Sequence, residues 1–484
     1  MDTRKSQYKH KPESVKSLRE RRRKQGEALR KAKREKLLSS KRIRQTSLTG
    51  VDEITELQVK EACSALTKKP ESRGELLIFL KKAFTQGSAF IDAFLGEENA
   101  MTTLVSIFTG SDEKLQLEAA WCLTNIATGA EEHALSILKH AGAYLITFLS
   151  SGNGPLEDQC LWTVGNIAAN GDKCHDMLKD LGVVAPLVKL LGSETSSVVQ
   201  SAAFALSNMA RGAPTHGKEL VDSGAIPPLV KHLVYDEDKL KVLAEVSWVL
   251  AYLSASGDYE DALLEAGTLE KLNSVLIQVA KDHPNDFEVL TPLLRCLGNI
   301  CCGLRDVSAR ACKNKDLVPA LGTLLQSEHR HIKKECLWVL SNITAEPDIC
   351  QQVIDAGILS SVIELLKSAF DIKRQAAYSL CNIACHGEAM CTVLLNKGAL
   401  QVAVPLLKNH DQDTVELALN FCHLMLSNDK KSLEVFLDSG GLEGLEGLEY
   451  HSAENIQSLA KQILETFIYP EQEKEAKEKE NVSA

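Results

Sequence analysis

The sequence predicts an all-α solenoid on three observations: one helical phrase returns at a regular interval, a glycine-led phrase returns between its copies, and strand signals are nearly absent. The first phrase is Trp-x-x-x-Asn-Ile or a close variant, in copies that begin at Glu118, Gln159, Ser201, Glu245, Pro292, Glu335 and Gln375. Its asparagine, or the residue in that place, falls at positions 125, 166, 208, 252, 299, 342 and 382, so successive units lie 40 to 47 residues apart. Such a period belongs to HEAT and armadillo units and is too long for ankyrin or tetratricopeptide repeats.

The second phrase, a glycine followed by apolar residues of the Leu-Val-x-Leu-Leu kind, recurs at Gly142, Gly182, Gly224, Gly267, Gly357 and Gly398. Glycine accepts the positive φ that closes a helix, and Pro186 or Pro227 shortly afterwards suits the first turn of the next one. Each unit therefore holds at least two helices. The segments before Trp121 and after Asn382 read as degenerate end repeats, since terminal units of a stack face water on one side. Long apolar segments follow helical spacing, and no hairpin dipeptide brackets an alternating run. Residues from Pro470 onward are charged with little to bury, which predicts a frayed or disordered tail. The expected organisation is a basic arm over 1–50, a repeat array over 51–468 and a tail over 469–484.

The 484 residues would suit about three ordinary domains at roughly 150 residues each, but repeats lengthen one architecture without adding cores. With 44% apolar and 25% charged residues, the chain is an ordinary globular one rather than a disordered one. The net charge of −10 is uneven: residues 1–44 carry +13, which leaves −23 on the rest. A basic arm on an acidic body suits protein partners, and the acidic body disfavours direct nucleic-acid binding. No apolar leader opens the chain and no run of 18 apolar residues occurs, so the reading is a soluble intracellular protein with no membrane span.

The 14 cysteines are scattered inside helical patterns without CxxC spacing, and read as small buried hydrophobes. Cys381, Cys385 and His386 come nearest to a ligand set, yet two thiols one turn apart lack further ligands nearby, so no metal and no cofactor are expected. No P-loop, GxSxG or HExxH occurs, and no nucleophile, base and orienting acid gather by spacing. His329 and His331 fall in an inter-helix segment, and His133, His140 and His216 at helix ends or turns, where such residues read as surface material. No enzymatic activity is expected.

The functional signal lies on the helical wheel. With Leu123 at zero, Ala119, Ala120, Ile126 and Ala127 fall within about 60° of it, while Glu118, Trp121 and Asn125 cluster about 140° to 160° away. Gln159, Trp162 and Asn166 oppose the stripe of Cys160, Leu161, Val164 and Ile167 in the same way, and Glu335, Trp338 and Asn342 oppose Cys336, Leu337, Leu340 and Ile343. The expectation is that the indoles point out into water. Stacking at helix distances of roughly 8 to 10 Å would place a rung about every three residues of an extended peptide. Asparagine can hold a main chain without reading side chains, and parallel indoles leave slots for Lys or Arg stems, each cation contact worth roughly 0.5 to 2 kcal/mol. Glu118, Glu245 and Glu335 can complement the cationic heads. A groove of this chemistry fits a short run of Lys and Arg. Phe204, Tyr378 and Tyr252, which stands in the asparagine's place, fit core positions as well.

These residues resemble the importin-α family over most of the chain. The family's order of rungs is met by Trp121/Asn125, Trp162/Asn166, Phe204/Asn208 and Trp248/Tyr252, of which all but Tyr252, with Glu118, Gln159 and Glu245, are taken on the resemblance as a major site. It is met again by Arg295/Asn299, Trp338/Asn342 and Tyr378/Asn382, which with Glu335 would form a minor site. The implied fold is an armadillo-repeat, right-handed superhelical solenoid with a basic N-terminal helical arm. The implied partners are the basic signal peptides of cargo proteins and importin-β. Arg19, Arg21, Arg22, Arg23, Leu29, Arg30, Lys31, Lys33, Arg34, Lys41 and Arg42 stand in a segment similar to the family's importin-β-binding helix, and Lys41, Arg42 and Arg44 could fold back to compete with cargo. The arm's thin apolar stripe of Val15, Leu18, Leu29 and Ala32 also allows a solvated arm, a calmodulin target or a membrane-surface helix.

Departures point to a divergent branch. Asn170 stands where the family has an Asp eight residues after the second-rung Trp, with Asp172 two residues on; Phe204 and Tyr378 replace Trp, and Gln375 replaces an acid. The expected function is nuclear import, with cargo in the Trp/Asn groove, importin-β on the arm, and passage between cytoplasm and nucleus. The alternative is an armadillo protein-interaction scaffold not engaged in transport. On this reading, Trp162→Ala with Asn166→Ala weakens binding of a basic peptide while leaving melting nearly unchanged.

Overall fold

The computed structural model describes residues 54–469, apart from 212–213 and 304–305, and every described element is helical. The basic arm and the charged tail lie outside the described residues. The described chain divides into two compact units, one reaching Lys271 and the other beginning at Leu272. Each is a stack of repeats, and a typical repeat has three helices: a short one such as Asp172–Asp180, a second such as Val184–Leu190, and a long third such as Ser196–Ala210.

The third helices carry the recurring phrase. In the first unit they are α1 (Arg73–Phe84), α2 (Glu113–Ile126), α3 (Gly154–Ala168), α4 (Ser196–Ala210) and α5 (Leu240–Ser256). In the second they are α6 (Phe287–Cys301), α7 (Arg330–Ile343), α8 (Phe370–Ala384) and α9 (Gln412–Asn428). Local chemistry starts several of them. Asp112 accepts from Lys114 N and Leu115 N ahead of α2, Asn153 from Leu156 N at α3, Asp286 from Glu288 N and Val289 N at α6, and Asp411 from Thr414 N at α9. These bonds satisfy amides that the first turn leaves without partners. α1 stacks on α2 and α9 on α8, and one more helix, Glu454–Ile463, packs on α9 beyond them.

Gly182, Gly224, Gly267, Gly357 and Gly398 adopt φ between 71° and 76°, the conformation that ends one helix and admits the next. Gly142 departs from the expected boundary. It lies inside the continuous helix Glu131–Phe148, where a Cβ would stand 2.9 Å from Leu181 Cδ1, so this glycine serves close packing rather than a turn. The apolar stripes are buried as the wheel implies: Cys160, Leu161, Val164 and Ile167 are all 0% exposed. Full burial of such side chains contributes about 1.5 to 3 kcal/mol each. No single helix among the described residues is long and apolar enough to cross a membrane.

Candidate functional site

The asparagines form a ladder. Asn125 Nδ2 donates to Lys81 O at 2.9 Å, and Asn166 Nδ2 donates to Thr124 O at 3.3 Å, so each carboxamide reaches the residue just before the equivalent position of the preceding third helix. The second unit repeats the pattern, with Asn342 Nδ2 to Gly298 O at 2.8 Å and Asn382 Nδ2 to Ser341 O at 2.5 Å. Within each unit this register sets successive asparagines side by side. Asn208 breaks it and donates to Phe204 O of its own helix. Beyond that one bond each Nδ2 keeps a second hydrogen and each Oδ1 its acceptor sites. The Oδ1 atoms of Asn125, Asn208 and Asn382 are buried without a hydrogen-bond partner among the described residues, as is Trp121 Nε1. The first rung thus offers one donor and one acceptor, the pair that an extended main chain can satisfy.

The expectation of water-facing rungs needs correction. Asn125, Asn166, Asn208, Asn342 and Asn382 are at most 1% exposed, Trp121 and Trp162 are half-buried, and Trp248, Tyr252, Trp338, Phe204 and Tyr378 are buried. A wheel treats each helix alone, whereas the stack places the next repeat against the same face. The Phe204 ring packs against Gly165, whose Cβ would meet it at 2.5 Å, and Trp338 packs against Gly298 as closely. The Trp162 and Phe204 rings stack directly, 4.7 Å apart and 22° from parallel. That spacing leaves no room for a lysine stem between them, so this slot is closed. Trp248 stacks on Tyr252 at 5.7 Å.

The acidic complement also differs from expectation. Glu118 is bound by Lys81 Nζ at 2.5 Å, and Glu335 by Arg295 Nη2 at 2.5 Å with both side chains largely buried. Two of the three carboxylates expected to meet a ligand's cations are therefore already neutralised from within. Glu245 is buried. Gln159 is buried too, and donates to Thr124 Oγ1, within a network closed by Thr124 and Thr163 at 2.7 Å. Asn299 and Gln375 are half-buried. The arm residues Arg19, Arg21, Arg22, Arg23, Leu29, Arg30, Lys31, Lys33, Arg34, Lys41, Arg42 and Arg44 lie outside the described residues.

Asn170 has a structural occupation. Its Nδ2 donates to Ala127 O at 2.7 Å and to Asn166 O at 3.1 Å, bonds that a carboxylate cannot make. Asp172 is exposed in the first turn of the next helix.

Twelve cysteines are buried, and only Cys302 and Cys385 are half-buried. Burial pushes the Cys63, Cys312 and Cys350 thiols up to about 12, which removes their nucleophilic form at neutral pH. His133 departs from the surface reading: it is buried, and its Nε2 sits 2.7 Å from Asp92 Oδ1. His386 Nε2 is spent on Thr344 O at 3.0 Å. A different group, His175, Asp176 and His216, brings possible ligand atoms within 4.8 Å of one another, and no spacing in the sequence signals it. Its two imidazoles stack at 3.6 Å and 12°. A metal lies about 2 Å from nitrogen in the plane of each ring it binds, and planes so separated share no such point, so this arrangement does not chelate.

The TMCO6 family model matches residues 60–467, and a model described as the importin beta binding domain matches residues 4–89. Importin subunit alpha-9 of Arabidopsis thaliana is 27% identical over 93% of this chain and 94% of its own length. Importin subunit alpha-2 of Oryza sativa subsp. japonica is 30% identical over 92% of each. A crystal structure of an engineered protein aligns with TM-score 0.74 and 28% identity, covering 86% of this chain and 99% of that one.

Proposed function

The chain belongs to the importin-α family, on its TMCO6 branch, and we propose that it serves as a nuclear import adaptor that moves between cytoplasm and nucleus. Cargo enters as an extended basic peptide along the Trp/Asn rungs, and importin-β takes the N-terminal arm, within the span that the importin beta binding domain matches. The observation that carries the groove reading is the first rung. Trp121 Nε1 and Asn125 Oδ1 are a buried donor and acceptor with no partner among the described residues, set on a ladder in which Asn125 Nδ2 donates to Lys81 O. A buried polar atom without a partner costs about 1 to 3 kcal/mol, and a peptide main chain laid along the rungs would recover it. No catalytic step belongs to this reading.

Two measurements test it. Titration of a fluorescent Lys/Arg-rich peptide into the full chain should give saturable binding that Trp162→Ala with Asn166→Ala weakens at least tenfold, with circular dichroism confirming a folded variant. Unlike the sequence, the structure predicts a lower melting temperature for that variant, because Trp162 stacks on Phe204 and Asn166 is 0% exposed. Undiminished peptide affinity in a folded double variant would refute the groove. A pull-down with importin-β should be lost on deleting residues 14–44; no binding by the full chain would favour the scaffold reading, which the closed Trp162–Phe204 slot and the neutralised Glu118 and Glu335 also favour.

A further inference from the structure

The first rung already holds a cation. Lys81 of α1 places Nζ 4.0 Å from the centroid of the Trp121 ring and 2.5 Å from Glu118 Oε2. Its side chain is only 7% exposed, and its backbone carbonyl accepts from Asn125 Nδ2. A lysine over an indole face, its ammonium held by a carboxylate one turn before that indole, is the arrangement the groove would offer to a basic ligand. Here the chain supplies the lysine.

We propose that Lys81 is a built-in occupant of the first cation seat, so that this rung grips a ligand's main chain through Trp121 Nε1 and Asn125 Oδ1 but takes no Lys or Arg side chain. The inference rests on the groove reading above and deepens it. Lys81 thereby sets specificity: the ligand residue opposite Trp121 is read for its backbone alone, because Lys81 takes the indole face that lies beside Glu118 and takes Glu118 itself. An ammonium held inside the protein loses its freedom during folding, whereas a ligand's lysine must lose it on binding, so exchange of one for the other is not favoured.

The test is Lys81→Met, which keeps the apolar stem and removes the charge. Glu118 remains 26% exposed and can hydrate, and melting shows whether the variant folds. A Lys/Arg-rich peptide titrated into the full-length variant should bind about tenfold more tightly than to wild type, equivalent to about 1.4 kcal/mol. Replacing each peptide lysine by alanine in turn should reveal one more sensitive position than in wild type. Adding Glu118→Gln to Lys81→Met, which also removes any uncompensated carboxylate, should abolish most of the gain. Equal or weaker peptide binding by folded Lys81→Met, with no new sensitive position, overturns the proposal. If Trp162→Ala with Asn166→Ala weakens binding while Lys81→Met gains none, only the assignment of Lys81 fails. If neither variant changes binding, the groove itself fails.

Discussion

Replacing Gly165 with alanine puts two effects of opposite sign in competition, and the structure decides between them. In an exposed helix interior the change stabilises by about 0.8 to 1 kcal/mol, because glycine is the poorer helix former. At Gly165 the added Cβ would stand 2.5 and 2.6 Å from Phe204 Cε1 and Cδ1 and 3.3 Å from Ala205 Cα. Phe204 is 1% exposed, so its ring cannot swing into water. It has to slide along the face of Trp162, or α3 and α4 have to separate. Overpacking of this kind costs about 1 to 3 kcal/mol, and disturbing the Trp162–Phe204 stack costs about 0.5 to 1.5 kcal/mol more. Set against the helix gain, the net is a loss of about 0.5 to 4 kcal/mol. Gly447→Ala is the matched control, since that residue is exposed, lies in the helix Gly441–Leu448 and has nothing within 4 Å of its added Cβ. Thermal melting of both variants followed by circular dichroism should give shifts of opposite sign, downward for Gly165→Ala and upward for Gly447→Ala. Stabilisation by Gly165→Ala would mean that Phe204 does not rest on α3, and the closed slot would have to be abandoned.

Asn170→Asp should destabilise by about 1 to 3 kcal/mol, because it removes the donor to Ala127 O and Asn166 O and turns a carboxylate toward two carbonyls. An unchanged urea midpoint would show that those bonds carry no weight. His175 predicts a pH dependence. Burial pushes its imidazole below the ordinary 6.5, with the adjacent His216 adding to the effect, so the folded protein binds fewer protons there than the unfolded chain. Its contribution is full above pH 6.5 and is lost as pH falls through that value toward the depressed one. Burial lowers His423 in the same sense. The urea midpoint should be lower at pH 5.5 than at pH 7.5, with the difference reduced in His175→Gln; a midpoint no lower at pH 5.5 would contradict it.

The repeat period, the third helices and the apolar stripes were legible in the sequence because a helix reports its own face through residues three and four apart. Five of the six boundary glycines were legible for the same local reason, a backbone conformation that glycine accepts most readily. The order of rungs and the basic character of the arm could likewise be read residue by residue. Decided only in the tertiary structure were contacts between residues some forty positions apart: the pairing of Lys81 with Glu118 and of Arg295 with Glu335, the seat of Phe204 on Gly165, the stacking of His175 on His216, and the burial of rungs that an isolated wheel turns toward water. Gly142 belongs with them, since only the neighbouring Leu181 distinguishes a packing glycine from a hinge. Periodicity within one helix carries no information about what the next repeat lays across it, so the line of asparagines could be read from sequence while the burial of the rings beside them could not.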